Sequence, residues 1–199
     1  MDISVKPSLE HSELIRPCPG EEVSGDTIFT LPVEHGFLVA IVDVLGHGPE
    51  AHELAVNIGA YLSRYATPDV CKVMNNLHQH LRGTRGAAMG LCSIDSAKHR
   101  LTYAGVGNTA MRRFGAEEVR LVSQDGVLGQ NLRTPRPQSL ALESDDLIVL
   151  YTDGVSDRFT TRDYPSILTH STREVTRNIV QRFGKGHDDA ACVAVRYKK

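Results

Sequence analysis

Hydrophobic residues follow two different spacings along this chain. In residues 37–44 a nearly unbroken apolar run, FLVAIVDV, leads into Asp43, a pattern typical of a strand that is buried on both faces. Over residues 49–65 the apolar positions instead recur at helical spacing. A second helix is predicted from Pro68, with Thr67 as its N-cap.

The remaining elements are predicted mostly as strands that occur in consecutive blocks. Besides 37–44, the predicted strands lie in segments 2–8, 26–33, 86–95, 100–107, 110–115, 118–123, 145–157 and 190–197, and a third helix covers 172–183. Consecutive strands favour an α+β fold with antiparallel sheets over a doubly wound one. The 199 residues are expected to form a single domain, 1–199, with a substantial core.

Composition excludes several function classes. The formal net charge is −2 and both signs of charge are spread along the chain, so no basic stripe predicts binding to nucleic acid. The N-terminal residues do not resemble a signal peptide, and no apolar run approaches membrane-spanning length. The four cysteines lie far apart without a C-x-x-C pair, which indicates reduced thiols. We therefore expect a cytoplasmic protein that binds neither nucleic acid nor a membrane.

Five aspartates lie at the ends of predicted strands. They are Asp26, Asp43, Asp153, Asp188 and Asp189, and each has a glycine nearby in the sequence. If the strands share a sheet, these carboxylates can converge, and convergent carboxylates cannot all stay ionised without a compensating cation. Ligands that are all oxygen suit Mg²⁺ or Mn²⁺. Two such ions can share a hydroxide and hold a phosphoryl group for in-line attack, so the pattern indicates metal-assisted phosphate chemistry.

Four ordered motifs resemble those of the PPM (PP2C-like) serine/threonine phosphatases, most closely the bacterial SpoIIE-like branch. The motifs are SGD at 24–26, VDVLGHG at 42–48, YTDGVSD at 151–157 and HDDAACVAV at 187–195. Within that branch the short chain is similar to the RsbX-type phosphatases of stressosome signalling. The resemblance implies a four-layer α-β-β-α sandwich of two antiparallel sheets, with a centre of two Mn²⁺ or Mg²⁺ ions between the sheets.

The resemblance also implies roles for individual residues. Asp43 would bridge both ions, and the backbone carbonyl of Val44 would bind one of them. Asp153 and Asp188 would be ligands on one side, and Asp26 would either bind metal directly or hold metal-bound water. A water bridging the ions would be the nucleophile, so Asp43 and Asp153 are expected to be catalytic without forming a covalent phosphoenzyme.

The chain departs from the family pattern at two positions. Eukaryotic relatives carry a candidate general-acid histidine two residues after the bridging aspartate, where this chain has Leu45. His47 lies close by and could donate a proton to the leaving oxygen, or it could simply cap the following helix. Those relatives also bind phosphate through an arginine upstream of the first aspartate. The nearest candidate here is Arg16, to which we assign no such role.

Other polar residues are expected to have structural or solvent-exposed roles. Asp189 is expected to orient its loop, and Asn108 to shape a turn. His78 and His80 are expected on the surface of a helix, and the arginines Arg112 and Arg113 as solvated charge in a strand.

Three functions remain open from the sequence. The first is a phosphatase that hydrolyses phosphoserine or phosphothreonine in a protein partner, which by resemblance would be a STAS-domain stressosome component, as negative feedback in stress signalling. The second is a haloacid-dehalogenase-like phosphatase with Asp26 as nucleophile, although Ile28 stands where that chemistry needs a second acid. The third is a catalytically degenerate docking module.

Overall fold

A computed structural model of the protein describes residues 8–198. The predicted strand over 2–8 lies outside this range except for its last residue. The strands are β1 (Ser8–Arg16), β2 (Asp26–Val33), β3 (Gly36–Val44), β4 (Ala87–Asp95), β5 (Arg100–Val106), β6 (Ala110–Phe114), β7 (Val119–Val122), β8 (Gly126–Val127), β9 (Asn131–Leu132), β10 (Gln138–Ala141), β11 (Leu147–Tyr151) and β12 (Ala190–Lys198). The helices are α1 (Pro49–Tyr65), α2 (Val70–His80) and α3 (Thr172–Phe183), with a 3₁₀ turn at Pro165–Leu168.

Within residues 8–198 the strands form two five-stranded antiparallel sheets. One has the order β1-β12-β11-β6-β7 and the other β10-β5-β4-β3-β2, while β8 and β9 pair separately. Apolar side chains from both sheets fill the space between them, for example Ile41 and Val193. Leu62 and Met74 of α1 and α2 pack on the outer face of one sheet, and Ile179 of α3 packs on the other. The predicted four-layer α-β-β-α sandwich is confirmed.

The apolar run of β3 is explained by its position inside this sandwich. Successive side chains of a strand point to opposite faces. Val39 and Ile41 therefore enter the space between the sheets, whereas Ala40 and Val42 face the helices. Both faces are buried, so the strand needs no alternation of polar residues. By the same alternation Asp43 lies on the face between the sheets.

Helix α2 begins later than the sequence pattern predicts. The prediction of a start at Pro68 with Thr67 as N-cap is wrong, since the helix begins at Val70. Its N-cap is Asp69, whose side chain accepts a hydrogen bond from the backbone N–H of Lys72 at 3.0 Å. Aspartate is the stronger cap because it accepts from the first turn as an anion close to the positive end of the helix dipole.

Four strands were not predicted where the structure has them: the short pair β8 and β9, and the two longer strands β1 and β10. Strand β1 pairs along its whole length with β12, and it brings Arg16 opposite Ala190. Strand β10 lies where neither a strand nor a helix was predicted, and it pairs with β5. Both are edge strands with many polar residues, so their hydrophobic pattern is weak.

The expectation that Arg113 is a solvated charge is wrong. Its side chain is only 13% exposed, and its guanidinium forms an ion pair with the buried carboxylate of Asp146 at 3.3 Å.

Two further expectations of solvated side chains are also wrong. His78 is buried, and its Nδ1 accepts a hydrogen bond from the backbone N–H of Gly129 at 3.0 Å. Arg112 is buried as well: its guanidinium pairs with Glu118 at 2.7 Å and donates to the carbonyl of Asp157 at 2.7 Å. A buried charge persists only with such partners, so Arg112 fixes the segment that follows β11.

No helix formed by the described residues combines the length and apolar character needed to cross a membrane. The four cysteines are free thiols, as predicted, and two of them, Cys92 and Cys192, lie in the core.

Candidate active site

Asp26 and Asp43 face each other across the β2–β3 pair. The strand register places Asp26 directly opposite Asp43. Asp26 is buried, and its Oδ2 accepts a hydrogen bond of 2.6 Å from Thr152 Oγ1. Thr152 follows β11 of the other sheet, so this bond joins the first and third motifs across the sandwich. The same hydroxyl oxygen accepts a 3.0 Å hydrogen bond from the backbone N–H of Ala191.

The environment of Asp43 disfavours its ionised form. Burial, together with the charge of Asp153, raises the pKa of Asp43 to about 7, and Asp188 adds to the effect. A hydrogen bond from the side chain of Asn108 opposes this shift. Asn108 was expected only to shape a turn, but its amide contacts the central carboxylate of the site. Burial, and then the charge of Asp43, also raises the pKa of Asp26 well above its usual range.

The third motif passes close to the fourth because residue 154 is glycine. A Cβ on Gly154 would lie 1.7 Å from the backbone oxygen of Asp189. The absence of a side chain therefore lets the turn after β11 pack against the start of β12. This contact brings Asp153 near Asp188, and the pKa of Asp188 is raised by burial first and by Asp153 second.

The two aspartates of the fourth motif have different roles. The carboxylate of Asp189 accepts hydrogen bonds from the backbone N–H groups of Cys18 at 2.7 Å and Gly25 at 2.8 Å. It thus ties the β1–β2 connection, which leads to Asp26, to the start of β12. Asp188 accepts from the backbone N–H of Asp189 at 3.0 Å and is only partly buried.

Arg16 positions the loop that carries Asp188. Its guanidinium donates to the backbone carbonyl of Lys185 and, at 3.5 Å, to that of Asp188. Both acceptors are main-chain carbonyls, so Arg16 helps to fix the backbone conformation of this loop. No phosphate-binding role was predicted for Arg16, and its guanidinium is bonded to main-chain carbonyls instead.

His47 is paired with a carboxylate outside the cluster. Its Nδ1 lies 2.8 Å from Oε1 of Glu21, and the imidazole is more than half exposed. Gly46 and Gly48 on either side have φ values of 90° and 76°, which glycine adopts without strain. Leu45, at the position of the eukaryotic histidine, is 39% exposed. The role of His47 as proton donor stays a prediction.

The aspartate cluster has the chemistry of a site for hard cations. Within residues 8–198, none of Asp26, Asp43, Asp153 and Asp188 forms an ion pair with a basic side chain. In the same range no three acidic, histidine or cysteine side chains are already arranged around one point as ligands. Carboxylates that no cation compensates raise one another's pKa values. An all-oxygen donor set with this unbalanced charge fits Mg²⁺ or Mn²⁺.

A cavity of about 300 Å³ opens beside Asp153. It lies between β6, β7 and the turn after β11. Its polar lining includes Asn108, Arg120, Ser123, Asp157 and Lys185. The cavity therefore borders the carboxylate cluster at Asp153.

Comparison with known proteins identifies the class to which this fold and site belong. The family model described as Stage II sporulation protein E (SpoIIE) matches residues 34–198, and the chain belongs to this family. It is a serine/threonine phosphatase of the PP2C type. The family match favours this class over the haloacid-dehalogenase-like alternative.

Individual relatives show that the chain resembles RsbX. It is 24% identical over 139 residues to phosphoserine phosphatase RsbX of Bacillus subtilis (strain 168), covering 69% of this chain and 70% of the relative. The structure of RsbX in complex with magnesium superimposes with a TM-score of 0.82 at 21% identity, covering 96% of each chain. A structure described as "The bacterial stressosome: a modular system that has been adapted to control secondary messenger signaling" gives a TM-score of 0.88 at 27% identity, covering 95% and 100%.

Proposed function

We propose that the protein hydrolyses phosphoserine or phosphothreonine in a protein partner with the help of divalent metal ions held by the aspartate cluster. One observation supports this proposal most strongly. Four motif aspartates from distant parts of the chain lie close enough for their charges to act on one another, and no basic side chain among the described residues forms an ion pair with them. The presence of all four ligand-type aspartates argues against a catalytically degenerate docking module.

The residues that would hold the ions are those named from the resemblance. Asp43 would bridge two ions, Mn²⁺ or Mg²⁺, with the carbonyl of Val44, Asp153 and Asp188 as further ligands and Asp26 as ligand or water holder. The ions would lower the pKa of a bound water and neutralise charge on the phosphoryl group.

The protein's own contribution is to orient these groups. The hydroxyl of Thr152 and the amide of Asn108 would fix the carboxylates of Asp26 and Asp43 for binding. His47 would donate the proton that the leaving serine or threonine oxygen needs, after release from Glu21. The apolar side chains packed between the sheets would exclude bulk water from one side of the metal centre.

We infer that the partner is a phosphorylated STAS-domain component of a stressosome, dephosphorylated in the cytoplasm as negative feedback. Support comes from the similarity to RsbX and from the stressosome structure to which this fold is similar. The docking module is the competing function, since such a protein would bind the same partner without turnover.

The test is release of phosphate from a phosphorylated STAS-domain stressosome protein by the purified chain with Mn²⁺, Mg²⁺ or EDTA. We expect release that requires metal, is lost in Asp188→Asn and is retained in the control Asp69→Asn, which keeps a good helix cap. Tight binding of the phosphoprotein with no release in either metal would contradict the proposal and support the docking module.

A further inference from the structure

The cavity beside Asp153 contains two basic side chains with different surroundings. The guanidinium of Arg120 forms an ion pair with the carboxylate of Asp157. Lys185 lines the same cavity, and no acidic side chain of the described residues lies within ion-pair distance of it. Lys185 therefore adds a positive charge to the lining of this cavity, and no ion pair among the described residues neutralises that charge.

The main chain holds Lys185 at a fixed place relative to the aspartates. Its N–H donates to the carbonyl of Gly154 at 2.7 Å, one residue after Asp153. Its own carbonyl accepts from the guanidinium of Arg16. The preceding residue, Gly184, forms a β-bridge with Val155. The side chain thus starts from a point anchored on both sides, and its charge acts on the carboxyl of Asp188.

A phosphorylated substrate needs a positive group on the protein at this edge. The dianionic phosphoryl group would approach a cluster of carboxylates, and any charge the ions leave unbalanced repels it. The guanidinium of Arg16 already donates hydrogen bonds to the carbonyls of Lys185 and Asp188. Lysine is a compact cation on a flexible stem, so it can follow a phosphate through binding and release.

We propose that Lys185 is the residue that binds the phosphoryl group of the substrate, with the cavity beside Asp153 receiving the phosphorylated side chain. This inference rests on the proposed function, because it assigns a substrate contact to the same site. Lys185 is not one of the proposed metal ligands. If the proposal is correct, phosphate binding depends on the ammonium group of this residue, which follows α3.

The test measures binding of inorganic phosphate to the Mn²⁺-loaded protein by titration calorimetry. We expect Lys185→Met to raise the dissociation constant roughly tenfold or more, the size expected for one charge-assisted hydrogen bond, and Lys185→Arg to restore most of the affinity. Lys98→Met is the matched control, because Lys98 is an exposed lysine in the β4–β5 turn paired with Asp95. It should bind phosphate like the wild type. Calorimetry with Mn²⁺ alone gives the metal affinity of each of the four proteins, so that phosphate is titrated into fully loaded protein in every case.

Equal phosphate affinity in the wild type and Lys185→Met would overturn the proposal, as would a wild type that binds Mn²⁺ but no phosphate. Hydrolysis of p-nitrophenyl phosphate separates this failure from failure of the proposed function. We expect Lys185→Met to raise KM much more than it lowers kcat. A wild type that shows Lys185-dependent phosphate binding but no turnover would contradict the proposed function and leave the phosphate contact established.

Discussion

Replacing Asp43 with asparagine should stabilise the metal-free protein at alkaline pH while removing its response to Mn²⁺. The carboxyl of Asp43 has its pKa raised from 3.8 to about 7 by burial and by neighbouring aspartates. The folded state therefore binds more protons than the unfolded state between these two values. Its free energy of unfolding must then fall as the pH rises through this window, and it stays low above it.

The size of the effect follows from the shift. At roughly 1.4 kcal/mol per pH unit, a rise from 3.8 to about 7 corresponds to about 4 kcal/mol lost on ionising Asp43 in the folded state. An asparagine amide is neutral at every pH in the window, so it avoids this cost. It also removes one cause of the raised pKa of Asp26, which lies opposite.

The assay is urea unfolding in EDTA at about pH 5 and about pH 8, conditions that bracket most of the window. Two pH units of the window lie above pH 5, so the wild type should lose about 3 kcal/mol between the two conditions. Asp43→Asn should lose much less, and the exposed-site control Asp69→Asn should lose as much as the wild type. Added Mn²⁺ should stabilise the wild type at alkaline pH and leave Asp43→Asn unchanged. Equal pH dependence in the wild type and Asp43→Asn would refute the electrostatic reasoning.

Three further substitutions test how the site is held together. Gly154→Ala should cost about 1–3 kcal/mol or more and weaken Mn²⁺ binding, because its Cβ would lie 1.7 Å from a carbonyl oxygen; Gly186→Ala, with open space around it, should change unfolding in urea by no more than about 0.5 kcal/mol. Thr152→Val should cost about 1–3 kcal/mol, since it removes the hydroxyl that bonds Asp26, whereas Thr152→Ser should retain most of the stability; equal losses would exclude the hydroxyl as the cause. Arg112→Met should cost about 3–5 kcal/mol in the same assay because it leaves buried partners unpaired, and a neutral outcome would show that the network is not structural.

Much of the site follows from strand periodicity. Asp26 shares a face of β2 with Ile28, and Asp43 shares a face of β3 with Ile41, so alternation alone sends both carboxylates between the sheets. The same rule places Thr152 on the inner side after β11, since it lies two residues beyond Leu150. Thr152 lies inside the third motif, YTDGVSD, but it was missed because only the aspartate of that motif was interpreted.

The rest depends on contacts that local sequence does not encode. The approach of Asp153 to Asp188 requires the pairing of β11 with β12 and the close contact at Gly154, both set by tertiary packing. Arg112 looked solvated because charged residues usually are, and only the fold shows the carbonyls and carboxylate around it. The anchoring of Lys185 likewise depends on Arg16 of β1. This edge strand was not predicted because its sequence is largely polar.

Hydrolysis of p-nitrophenyl phosphate tests the central claim most directly. The purified chain would be assayed with Mn²⁺ and with EDTA, beside Asp43→Asn and the control Asp69→Asn. The account predicts turnover that requires Mn²⁺, persists in Asp69→Asn and is lost in Asp43→Asn. Turnover that survives EDTA, or that Asp43→Asn retains, would contradict a catalytic metal centre at the aspartate cluster.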